Sequence, residues 1–91
     1  MSLADPAPPE ALQVFVFAAP HARAALTAID DALALTAGEL ASLRLKPVGR
    51  IVEATLTLRG LSVEAAQAAA DRLAGQVGVQ ALRLEHLRGR P

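Results

Sequence analysis

The chain has 91 residues, nine basic and nine acidic, with no cysteine and no tryptophan. That length holds one domain with one core. The zero net charge argues against binding nucleic acid or an anionic membrane by bulk charge, and the lack of cysteine excludes disulfides, thiolate metal sites and a cysteine nucleophile. No apolar run approaches the length of a membrane span, and the start lacks the layout of a signal peptide. The expectation is a small cytoplasmic domain. Of the residues, 53% are hydrophobic, but 21 are alanine, 15 are leucine and only Phe15 and Phe17 are aromatic.

Residues 1–10, with Pro6, Pro8 and Pro9, read as a disordered leader. Gln13-Val14-Phe15-Val16-Phe17-Ala18 is apolar on both faces and predicts a central strand covered on both sides. Pro20 stands where a helix's first residue would be. Ala22, Leu26, Ile29 and Leu33 then recur at helical spacing, and Gly38 is expected to close that helix as a left-handed cap. Leu40 to Lys46 alternates, with Ala41, Leu43 and Leu45 on one face and Ser42, Arg44 and Lys46 on the other. Pro47-Val48-Gly49 reads as a type I turn. Arg50 to Arg59 alternates most clearly: Val52, Ala54, Leu56 and Leu58 against Glu53, Thr55, Thr57 and Arg59. Ser62 is expected to cap a second helix, with Glu64 in its first turn. Its apolar stripe reads Val63, Ala66, Ala70, Leu73 and Val77, ended by Gly75 and Gly78. Val79 to Leu87 predicts the last strand, with Leu82 and Leu84 inward, and residues 89–91 read as a tail.

The order is β-α-β-β-α-β. With right-handed crossovers, its compact solution is a ferredoxin-like α+β sandwich over residues 11–88: a four-stranded antiparallel sheet with both helices on one face. The first and third strands form the central pair. The other face mixes polar residues from three strands with apolar ones from the first, the composition of an interface. Arg44, Thr55 and Thr57 are the expected contact residues.

A strand that runs through Ala18-Ala19-Pro20-His21 straight into a helix, in this element order, resembles the ACT domain. The second half is most similar to the small regulatory subunits of acetolactate synthase. The stretches that carry the likeness are Ile51-Val52-Glu53-Ala54-Thr55-Leu56-Thr57-Leu58, then Ser62-Val63-Glu64, then Arg72 to Val79 with its Leu73, Val77 and Val79 pattern. The resemblance implies a non-catalytic regulatory domain, a homodimer, an amino-acid effector and a catalytic large subunit as partner. It places the effector where the first strand meets the first helix, at Ala18, Ala19, Pro20, His21, Ala22 and Arg23. Only Pro20 matches the family's site pattern. Ala18 and Ala19 stand where an acid or amide would be, and the glycine is missing.

Ala19 is a poor cap, so the first N–H groups of that helix are expected to lack an acceptor and to suit an anion or carboxylate. His21 and Arg23 add positive charge there, against the helix dipole. Elsewhere the sequence offers little chemistry. His21 and His86 are too few for a metal site, and Ser2, Ser42 and Ser62 lack a nucleophile elbow. Asp30 and Asp31 diverge on a helix and read as solvated. An RNA-recognition motif needs stacking aromatics on both central strands, and an acylphosphatase needs an asparagine, which the chain lacks. No enzymatic activity, metal or cofactor is expected. Two readings stand: an amino-acid-responsive regulatory subunit of an acetolactate-synthase-type enzyme, or a structural dimerisation module that has lost its ligand site.

Overall fold

The computed structural model describes residues 12–87; the expected leader and tail lie outside them. The elements are β1 (Leu12–Ala19), α1 (Ala22–Leu33), β2 (Glu39–Val48), β3 (Ile51–Arg59), α2 (Val63–Ala74) and β4 (Gln80–Leu87). The strands form one sheet in the order β2-β3-β1-β4, antiparallel at every pairing. Both helices lie on one face, as the ferredoxin-like arrangement requires, and β1 and β3 are the central pair.

Alternation along β1 turns Gln13, Phe15, Phe17 and Ala19 toward the helices and leaves Leu12, Val14, Val16 and Ala18 half-buried on the other face. The expectation that β1 is covered on both sides is therefore corrected: within one chain, helices cover one side only. From β3, Ala54, Leu56 and Leu58 join Phe15 and Phe17 beneath the helices, with Leu73 and Leu61. The helices contribute mostly alanine: Ala25, Ala28 and Ala32 with Ile29 from α1, and Ala66, Ala69 and Ala70 from α2.

This differs from the stripes read by spacing. Leu26 is 45% exposed and Val63 60%, while Val77 lies beyond the end of α2 and is 95% exposed. The aromatic and leucine side chains of the sheet fill the space between the layers, so the helix faces nearest the sheet must be small. Larger residues are displaced to the flanks.

The connections also differ in detail. The β2–β3 hairpin turns at Gly49-Arg50, with Val48 paired to Ile51, rather than at Pro47-Val48-Gly49. Gly49 at φ 62, followed by a residue of negative φ, has the glycine-first pattern of a II′ turn, whose twist suits the flanking strands. A bulge between Leu40 and Ser42 takes Ala41 out of the ladder and puts Leu40 opposite Leu58. α1 ends at Ala34 in ordinary right-handed geometry, so Gly38 is not its cap. Gly38 instead permits close approach, because a Cβ there would lie 2.7 Å from Leu61 Cγ. Ser62 caps α2 as expected, its Oγ accepting from Ala65 N–H at 3.0 Å. Asp31 is not free: its Oδ2 accepts from Arg72 Nε at 2.9 Å and Gln76 Nε2 at 2.7 Å, tying α1 to α2.

The start of α1 is the main correction. The cap is His21, not Ala19, and Pro20 precedes the helix. His21 is extended, and its Nδ1 accepts from Ala24 N–H at 3.1 Å. Ala19 is buried under the helices.

This packing can be tested at two places. Ala66→Leu, fully buried on α2, should destabilise by about 1–3 kcal/mol through overpacking, whereas Leu26→Ala should stay within about 0.5 kcal/mol; urea denaturation followed by circular dichroism measures both. His21→Ala should cost about 0.5–2 kcal/mol through loss of the cap, with His21→Asp restoring it, and Ala19→Asp should destabilise in the same assay because it buries a carboxylate.

Candidate functional site

The β1–α1 junction is the first candidate. Ala18 and Ala19 end the strand, Pro20 turns the chain, and His21 opens the helix. Gly78, in the α2–β4 connection, comes up beside Pro20: its φ is 90, and a Cβ there would lie 3.1 Å from Pro20 Cδ. Ile51 and Gln80 complete a shallow depression of about 140 Å³. Of the six residues expected at an effector site, Ala18, Ala19 and Pro20 line it; His21, Ala22 and Arg23 do not. Its wall is mostly apolar and holds no charged side chain. Small-molecule pockets generally run from about 300 Å³ upward with several fixed polar groups, and this depression has neither that volume nor a charged group.

The helix start has less to offer than the sequence implies. His21 Nδ1 takes the N–H of Ala24, and His21 O takes that of Ala25. Only the N–H groups of Ala22 and Arg23 have no protein partner among the described residues. An anion would meet two donors there, beside the exposed Arg23.

The open sheet face is the second candidate. Along its middle runs the apolar line of Leu12, Val14, Val16 and Ala18. Thr57 pairs with Val14 and Thr55 with Val16 on β3; Arg44 on β2 lies opposite Thr55. The three expected contact residues thus form one cluster beside the apolar line. Phe15 and Phe17 both face the helices and are 0% and 1% exposed, so neither offers a ring to a stacked base.

Two features escaped the sequence reading. Gln13 is 3% exposed; its Nε2 donates to Leu61 O at 3.1 Å, and its Oε1 meets Nδ1 of the otherwise exposed His86. Because a carbonyl can only accept, the Gln13 amide is held with its oxygen toward His86, which must donate from Nδ1. Gln13 shares the phase of Phe15 and Phe17, and that phase was the available signal. The second feature is an apolar groove of about 570 Å³ between the end of α1 and the start of α2, over Ala32, Leu61, Ala65 and Ala69 and edged by Leu35. It joins segments distant in sequence, so no local pattern announces it. Among the described residues, no three His, Asp or Glu side chains gather as metal ligands, and no helix is long and apolar enough to cross a membrane.

No family model matches the sequence, and no curated protein matches it. Solved structures do match in shape. The chain is similar to the ACT domain of a GTP pyrophosphokinase from Chlorobium tepidum, at TM-score 0.65 and 14% identity, over 84% of this chain and 96% of that one. It is similar to the C-terminal domain of the MgtC protein from Mycobacterium tuberculosis, at TM-score 0.67 and 20% identity, over 89% and 90% of the two chains. An uncharacterized protein of Thermotoga maritima matches at TM-score 0.60 and 14% identity, over 87% and 96%. At these identities the likeness is one of fold: the chain has the ferredoxin-like fold that the ACT domain of GTP pyrophosphokinase shares.

Proposed function

We propose that this chain is a non-catalytic regulatory domain of the ACT type, working as the small subunit of an acetolactate-synthase-type biosynthetic enzyme. The observation that carries this reading is the uncovered sheet face: an apolar line along β1 set between polar strands, with Arg44, Thr55 and Thr57 clustered beside it. A sheet so finished is built to meet protein. In this reading the domain is a homodimer that docks on a catalytic large subunit. An amino-acid effector sits at the β1–α1 junction, where Ala18, Ala19 and Pro20 give apolar contact and the free N–H groups of α1 meet its carboxylate. Coupling then consists of effector binding shifting the partner's conformational equilibrium, typically by about 1–3 kcal/mol. The stretch Ile51 to Leu58, which resembles the acetolactate synthase small subunits, makes up most of β3 and so supplies Thr55 and Thr57 to that face.

A second reading has its own support. The His21 cap and the uncharged depression favour a structural dimerisation module that has lost its effector.

The test combines this chain with the acetolactate synthase catalytic subunit of the same organism. A complex in light scattering, with raised activity that valine, leucine or isoleucine then alters, is the expected result. Dye-monitored melting of the chain alone with each amino acid reports the site directly: ligand at about 100 times its Kd adds about 2.7 kcal/mol, which for a domain this size raises Tm by roughly 10 °C or more. A complex indifferent to amino acids would establish the dimerisation module. No complex and no melting shift would overturn the regulatory reading.

A further inference from the structure

The charges on the open face reverse sign along the strands, and this pattern names what covers it. Four levels of residues cross all four strands. At the first, Leu12 lies level with Arg59 on β3, Glu39 on β2 and Leu87 on β4. At the second, Val14 lies level with Thr57, Ser42 and Glu85. At the third, Val16 lies level with Thr55, Arg44 and Arg83. At the fourth, Ala18 lies level with Glu53, Lys46 and Gln80.

Consider a two-fold axis lying in the plane of contact and crossing the strands midway between the second and third levels. It sets the first level of one copy over the fourth of the other, and the second over the third, strand upon like strand. On β3, Arg59 then faces Glu53 of the second copy, and Thr57 faces Thr55. On β4, Glu85 faces Arg83. On β2, Glu39 faces Lys46, and Arg44 falls over Ser42. Along β1, Val14 meets Val16 and Leu12 meets Ala18. Six of the seven charges on the face meet an opposite charge, none meets a like one, and the apolar line meets itself. An isologous contact demands such self-complementarity, and electrostatic match of this kind sets the register of an interface.

We propose that a second copy of this chain covers the open face, the two sheets stacked face to face with their strands antiparallel. Aligned sheets pack at about −30°. That rotation leaves the centre of the contact in place and moves the outer charges, including Arg59 and Glu53 at the ends of β3, by a distance that long Arg, Lys and Glu side chains span. The β2 edge is poorly suited to extending the sheet instead, because Lys46, Pro47 and the bulge at Ala41 interrupt it. The proposal rests on the reading of the open face as an interface and assigns that interface to self-association.

The test uses the full chain and three variants: Val16→Glu at the centre, and Glu53→Arg and Arg59→Glu on β3. Circular dichroism checks that each is folded, and sedimentation equilibrium measures the dimer constant. The wild type is expected to dimerise and Val16→Glu to remain a monomer. Each β3 variant alone places like charges over one another twice and should dimerise about tenfold more weakly or worse. In an equimolar mixture of the two β3 variants, the introduced arginine of one faces the introduced glutamate of the other. The unaltered Arg59 and Glu53 also face each other, so heterodimers should form with near wild-type affinity. A dimer formed along a sheet edge would not respond to β3 in this way. A monomeric wild type, single variants that dimerise like the wild type, or a mixture no tighter than its components would each overturn the proposal. A monomeric wild type that still binds the catalytic subunit, and loses it on Val16→Glu, would overturn self-pairing while leaving the regulatory reading in place.

Discussion

The close approach of two alanine-faced helices to a sheet of larger side chains governs this molecule. Ala25, Ala28, Ala66 and Ala70 give the helices a thin inner face, to which only Ile29 and Leu73 add large buried side chains. The volume between the layers is taken by Phe15, Phe17, Leu56, Leu58 and Leu73, all nearly inaccessible to solvent. Interiors pack at crystal-like density, so neither a cofactor nor a ligand fits between the layers. The surfaces left open are the free sheet face, the hollow at the β1–α1 junction and the groove between α1 and α2. A core built from so many alanines also buries little apolar area for the length of chain it orders, and small domains are marginal for that reason. A second buried surface, against another protein, would add what the single core lacks.

The sheet was the legible part of the structure. Period-two patterns in β1 and β3 are strong because one face of each strand is buried and a slip of one residue would invert it. They fixed which side of β3 carries Thr55 and Thr57. The helices were less legible. A stripe read by hydrophobicity ranks leucine and valine over alanine, and so it points Leu26, Val63 and Val77 inward. The size of the opposing side chains decides the matter, and it belongs to another element. Gly38 misled for a related reason: its role is contact with Leu61, 23 positions away in sequence, rather than the backbone geometry of a cap.

At the β1–α1 junction, one histidine separates expectation from structure. With the cap at Ala19, the helix would present a row of free donors and invite an anion. With His21 as the cap, a neutral imidazole nitrogen already holds the third of the first-turn N–H groups that such an anion would seek. Histidine ranks low as a cap by propensity, so the pattern of preferred capping residues passes over it. What remains is a small apolar hollow without charged lining and, beside it at the helix start, the N–H groups of Ala22 and Arg23.

β1 connects the two candidate surfaces. Its sequence is apolar in both phases, the pattern of a strand covered on both sides, yet one chain covers only the Phe15 side. Val14 and Val16 occupy the positions where a solvated antiparallel strand would carry polar residues. Charge on the neighbouring strands is not scattered around them; it reverses about the same midpoint, between Val14 and Val16, on β2, β3 and β4 alike. Four of these charges already pair within the chain, Arg59 with Glu39 and Arg83 with Glu85, each at 3.8 Å, and exposed pairs of this kind contribute little on their own. A surface meant for a different protein would need to match that protein's pattern instead of its own. Antisymmetry about a single level suits a face that meets a copy of itself, and the proposed contact would give β1 the second cover that its sequence anticipates.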